Sequence, residues 1–222
     1  MKYGESVFDI LYLIFAITFG ILIIARHKDN KSLLMGIASL LLGCGDAFHL
    51  IPRVLNYFID GDFTSALGIG KLITSITMTV FYILMYHILI EKNKLKENLY
   101  LTISIYCLSI IRIILCILPQ NGWTEKEPSY LWGIIRNIPF VILGCIIVVL
   151  FYIQRKQYNY KFIWLYVTLS FAFYLVVVFG ASYVSILGMF MLPKTICYIL
   201  MIITFFNYLK LDESSNEAKI AS

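Results

Sequence analysis

The sequence predicts an all-α fold: a polytopic membrane bundle of seven transmembrane helices, N-terminus outside and C-terminus cytoplasmic. Three observations carry this. Hydrophobic residues make up 60% of the 222 positions and charged residues only 14%, with a mean hydropathy of +0.85, whereas a soluble domain carries about a quarter charged residues. Apolar runs long enough to cross about 30 Å of hydrocarbon, at about 1.5 Å per residue, recur along the chain. Basic residues collect in every second connection.

The runs lie near residues 7–26, 32–52, 68–90, 98–118, 130–153, 161–181 and 186–209. The first is about twenty residues long and lacks a basic leader and a small-residue cleavage site, so it reads as a spanning helix and not a cleaved signal. The connections at 26–31, 91–97 and 154–161 hold Arg26, Lys28, Lys31, Lys92, Lys94, Lys96, Arg155, Lys156 and Lys161. The alternate connections carry Asp60 and Asp62, or Glu125 and Glu127 around Lys126. Basic connections face the cytoplasm, which sets the orientation in a cell membrane. The expected organisation is one domain over residues 1–209 followed by a short polar cytoplasmic tail, 210–222, expected to fray.

The net charge of +5 follows topology and does not point to nucleic acid. Cys44, Cys107, Cys116, Cys145 and Cys197 all fall in apolar segments without CxxC or similar spacing, so they read as packing residues and not as a disulfide framework or a metal site. Trp123, Trp132 and Trp164 fall near predicted interfaces, where indoles collect in any membrane protein. Gly43, Gly45, Gly68 and Gly70, without a phosphate-binding pattern, read as points of close helix approach. Pro52, Pro119, Pro139 and Pro193 sit at or near outer helix ends and Pro128 in an outer loop. Each intramembrane proline frees a carbonyl, which is tolerated where helices line a cavity, so an irregular, wet pocket is expected in the outer half.

Ionisable residues inside spans are costly and are the default pointers to function. In GCGDAFHLIPR, Asp46, His49 and Arg53 stand at i, i+3 and i+7 on one face of the second span. Lys71, Thr74, Ser75, Met78 and Tyr82 form a stripe on the third span, and Tyr106, Ser109, Arg112 and Cys116 another on the fourth. Arg136 and Asn137 open the fifth, and Lys194, Tyr198 and Met201 follow Pro193 on the seventh. Asp46, Arg112 and Lys194 lie roughly 10 Å below the outer surface, in one layer.

Five cations, Arg53, Lys71, Arg112, Arg136 and Lys194, thus face the carboxylates Asp46 and Asp9 in the outer half. That excess invites an anion, since arginine binds oxyanions bidentately and an unpaired buried cation is unfavourable. Arg53, Lys71 and Arg136 can also simply snorkel to the interface. Asp9 follows Ser6 at capping spacing and reads as a helix cap. The histidines, His27, His49 and His87, are too few and too far apart in depth for a three-histidine zinc site, and no metal or cofactor is expected.

LLGCGDAFHL resembles the GxGSxxFH stretch of the alkaline-ceramidase-like membrane hydrolases, seven-helix zinc enzymes that cut lipid amides or esters. The resemblance covers about ten residues and implies roles for Asp46 and His49 in place of that family's serine and zinc-binding histidine. The spacing is one residue shorter, and the last span reads MLPKTICYILM where that family has HxxxH. The Gly-Asp of the second span also resembles lysoplasmalogenase-type hydrolases, which use a second, late aspartate; no span after the second holds one. Lys194 brings to mind the retinal lysine of microbial rhodopsins, but position 190 is Phe190 and the third span has no carboxylate.

The leading expectation is a non-enzymatic protein whose outward-facing, cation-rich cavity binds a small anionic molecule or lipid head group, as transporter or sensor. Asp46, His49, Arg53, Lys71, Arg112, Arg136, Lys194 and Tyr198 would line it. The alternative is a lipid amide, ester or ether hydrolase using Asp46 and His49. Membrane lipid is an expected partner; a cytoplasmic partner or a second copy of the chain is left open.

Overall fold

The structure is a computed structural model that describes residues 2–93, 98–156, 161–180 and 183–220. Its helices are α1 (Lys2–Ala25), α2 (Asn30–Phe58), α3 (Thr64–Asn93), α4 (Leu99–Ile117), α5 (Tyr130–Ile135), α6 (Ile138–Ile153), α7 (Ile163–Gly180) and α8 (Met191–Ile220), with 3-10 turns at Pro119–Asn121 and Ser185–Phe190. No strand occurs among the described residues. Seven helical segments are long and apolar enough to cross a membrane, with α5 and α6 together making the fifth. This is a multi-pass helical membrane protein.

Local chemistry sets the boundaries. The α2 start is a capping box: Ser32 N–H donates to Asp29 Oδ1 (2.8 Å) and Asp29 N–H to Ser32 Oγ (3.3 Å). Asn98 caps α4 by accepting from Tyr100 N–H at 3.1 Å. At the other end of α4 the side-chain amide of Asn121 donates to the carbonyls of Leu115, Cys116 and Leu118, satisfying acceptors that a helix end leaves open. Gly122 closes that turn at φ 60, in the left-handed region. α8 continues past Lys210 to Ile220, so residues 210–220 of the tail, expected to fray, have a helical backbone; extending a helix already nucleated by the span costs little. Lys94 and Lys96 of the third connection lie outside the described residues.

The spans close into a ring in which α1 packs on α2, α2 on α3, α3 on α4, α4 on α6, α6 on α7, α7 on α8 and α8 on α1. Cross-contacts of α2 with α8 and of α3 with α6 fill the middle. Buried side chains such as Tyr12, Phe81, Tyr82, Met85, Tyr198 and Phe205 form the core, while Ile10, Ile14, Ile103, Ile110 and Ile114 point outward and exposed. Apolar groups outside and polar groups inside suit a hydrocarbon solvent.

α2 and α3 approach closely because glycines line the seam. A Cβ on Gly45 would run into the Thr77 side chain, and one on Gly70 into the Phe48 carbonyl. The Thr74 hydroxyl crosses the same seam to donate to the Gly45 carbonyl at 3.0 Å.

Candidate functional site

At the end of the bundle that carries the chain's N-terminus, the helices part around a cavity of about 300 Å³. Proline shapes one wall. Pro139 has no N–H to give the Ile135 carbonyl, so the fifth span breaks between α5 and α6, at Arg136 and Asn137. The break is held by Asn137 Nδ2 donating to the Gly133 carbonyl (2.8 Å) and by the Tyr174 hydroxyl donating to Asn137 Oδ1 (2.8 Å). Arg136 thereby reaches the cavity, where its Nη1 donates to Asn121 Oδ1 (2.8 Å) and its guanidinium lies over the Trp123 ring, 4.2 Å to the centroid.

Arg112, from α4, is 2% exposed, and its Nε and Nη1 are buried with no hydrogen-bond partner. Its guanidinium lies on Phe140, 3.1 Å from the ring centre. Lys194, from the first turn of α8, is 8% exposed and sits between the rings of Tyr174 and Tyr198, at 5.2 and 5.1 Å. The α3 stripe of Lys71, Thr74, Ser75, Met78 and Tyr82 forms another wall, with Lys71 exposed toward the mouth. Beneath, Tyr82 meets Phe140 and Phe171 with ring centres 5.3 and 5.2 Å apart. The lining thus holds four fixed cations, His49 and an aromatic floor, and it includes no aspartate or glutamate among the described residues.

Six of the eight residues singled out in the sequence, His49, Lys71, Arg112, Arg136, Lys194 and Tyr198, line this cavity. The other two do not. Arg53 forms an ion pair with Glu5 and a hydrogen bond to the Tyr57 hydroxyl, because the antiparallel register of α1 and α2 sets it beside an acid that the sequence reading left unweighed. Asp46 lies behind the cavity wall, where its Oδ2 accepts from the Tyr12 hydroxyl at 2.8 Å, and Lys194 acts on it electrostatically from the cavity side.

Two further readings change. Asp9 is not a helix cap: α1 begins at Lys2, the Ser6 hydroxyl returns to the Lys2 carbonyl, and Asp9 sits buried in the helix interior. Trp123, read from the sequence as interfacial, is also a cavity wall, its indole N–H donating to the Cys116 carbonyl at 2.8 Å. Asn121, Phe140 and Tyr174 also escaped the sequence reading, although Asn121 and Trp123 closely follow a helix-ending Leu-Pro and Tyr174 is one aromatic among many in α7. All five cysteines are free. Among the described residues no three His, Cys, Asp or Glu side chains stand close enough together to hold a metal ion.

The arrangement can desolvate and bind an organic anion: cations to take its charge, rings to take its body. Comparison with family models, curated proteins and solved structures gives no match, so the functional reading rests on this geometry.

Proposed function

We propose that the chain is a cell-membrane protein, N-terminus outside and C-terminus cytoplasmic, whose outward-facing cavity binds a small organic anion or an anionic lipid head group for uptake or sensing. The orientation is supported by Arg26, Lys28, Arg155, Lys156 and Lys161 at the far end of the bundle, against the acidic 59–63 connection beside the cavity. The observation that carries the reading is Arg112: a buried guanidinium with two unpartnered nitrogens, in the wall of a cavity whose lining includes no carboxylate among the described residues. A buried cation left in that condition is strongly unfavourable, and an oxyanion relieves it with two charge-assisted hydrogen bonds. The aromatic floor favours an anion with a planar or apolar body over an inorganic one.

The test is mass spectrometry of what the protein retains from mild detergent, followed by binding and proteoliposome loading of that compound. An organic anion whose binding is lost in Arg112→Gln supports the reading, and saturable loading distinguishes uptake from sensing. A protein that retains no anion, binds none from a panel of organic acids and lipid phosphates, or turns over lipids in detergent with loss in Asp46→Asn and His49→Ala, overturns it.

A further inference from the structure

Behind the cavity, between α1 and α2, lies a second polar cluster that the anion site does not use. Asp9 is 3% exposed and its Oδ2 is buried without a hydrogen-bond partner. Asp46, 9% exposed, acts on it electrostatically across the α1–α2 seam. The register that pairs Glu5 with Arg53 also brings the Tyr12 hydroxyl to Asp46 Oδ2. From α8, Lys194 and Tyr198 face Asp46; from α2, His49 adds an imidazole one turn along. Glu5 and Arg53 neutralise one another at the helix ends.

The charges do not close. Among the described residues Lys194, whose other side faces the cavity, acts electrostatically on Asp46, whereas Asp9 is acted on by Asp46 and by no cation. Two like charges cannot both stand close together in a low-dielectric seam, and the usual resolution is a proton held by the pair.

We propose that Asp9 and Asp46 share one exchangeable proton, held between α1 and α2 behind the cavity, and that Lys194 sets how tightly it is held. The proton enters from water at the cavity end and sits on a carboxylate oxygen, the unpartnered Asp9 Oδ2 being the free acceptor. With its ammonium turned to Asp46, Lys194 favours release. An anion in the cavity draws that ammonium away, so anion and proton bind together. This last step rests on the proposed function; the proton site does not.

Infrared difference spectroscopy of the full chain in lipid, with 13C-labelled aspartate, tests it without any ligand. The expected result is a carboxylic acid stretch at neutral pH that shifts with the label, disappears in Asp9→Asn, is lost at a lower pH in Asp46→Asn than in the wild-type protein, and survives in Arg112→Gln. In Lys194→Gln the band should persist at an alkaline pH at which the wild-type protein has lost it. A wild-type protein with no label-sensitive acid band, or one in which sodium abolishes the band at constant pH, overturns the proton site even if the variants fail to fold. A band indifferent to Lys194→Gln overturns the role given to that lysine. A wild-type protein that binds no anion while its acid band is intact would sink the anion reading alone.

Discussion

The guanidinium carbon of Arg112 stands 3.1 Å from the centre of the Phe140 ring, so the most buried cation of the cavity rests on an aromatic face and not on a carboxylate. A π face offers a cation partial compensation, worth about 2 kcal/mol when desolvated, and leaves the Nε and Nη1 N–H groups of Arg112 without a hydrogen-bond partner. Replacing Phe140 by Leu keeps apolar bulk but removes that face. Anion affinity in Phe140→Leu should fall by about tenfold, the equivalent of about 1.4 kcal/mol, as measured by isothermal titration.

Arg112 itself should show opposite signs in two measurements. Removing an unpaired buried charge relieves desolvation, so Arg112→Met, which keeps much of the volume, should melt at the wild-type temperature or above without ligand. The same change removes charge-assisted hydrogen bonds worth about 1.5 to 3 kcal/mol each, so ligand-induced stabilisation should vanish. A variant that melts lower and still gains stability from the anion would contradict this assignment.

How much of this was legible in the sequence depends on what each signal reports. The seven spans and the α3 stripe follow from hydropathy and helical period, which fix what faces a helix's neighbours. Arg112 and Lys194 were legible because buried charge in a span is rare. Depth along a helix does not say which neighbour a side chain meets, and there the reading of Arg53 and Asp46 departs from the structure. Arg53 meets Glu5 only through the α1–α2 register, which no local pattern encodes. Trp123 and Asn121 come from a loop, whose position depends on how the ends of α4 and α5 are held.

The Glu5–Arg53 pair makes the contrast measurable. Both side chains are about one-fifth exposed, and pairs of that kind contribute about 1 kcal/mol or less. Glu5→Gln and Arg53→Gln should each lower the melting temperature slightly and leave anion affinity unchanged. A large loss of affinity in Arg53→Gln would return that residue to the site.

The start of α3 carries a pH dependence outside the membrane. Asp62 accepts hydrogen bonds from Thr64, from its hydroxyl and from its backbone N–H at 2.9 Å, and these hold its carboxyl below the usual value of 3.8. A carboxylate bound this way stabilises the folded state above its unfolded pKa, and the effect is lost as pH falls through the lower folded value. Amide exchange in the first turn of α3 should therefore speed up in acid beyond its intrinsic pH trend, and Asp62→Asn should flatten that excess.

Gly70 ties the seam to the site. A Cβ there would meet the Phe48 carbonyl and, at 2.8 Å, the His49 Cα, both backbone atoms of α2 that cannot rotate away. Gly70→Ala must therefore move α2 from α3 by about an ångström, a strain of about 1 to 3 kcal/mol or more by analogy with overpacked cores. Lys71 follows Gly70 on α3 and His49 belongs to the backbone being displaced, so the same shift changes their spacing in the cavity wall. The expected result is a lowered melting temperature together with weakened anion binding, while Gly4→Ala, whose Cβ would meet nothing within 4 Å, should change neither. Wild-type affinity in a destabilised Gly70→Ala would show that the anion is held by the α4, α5 and α8 cations alone, without the α2–α3 wall.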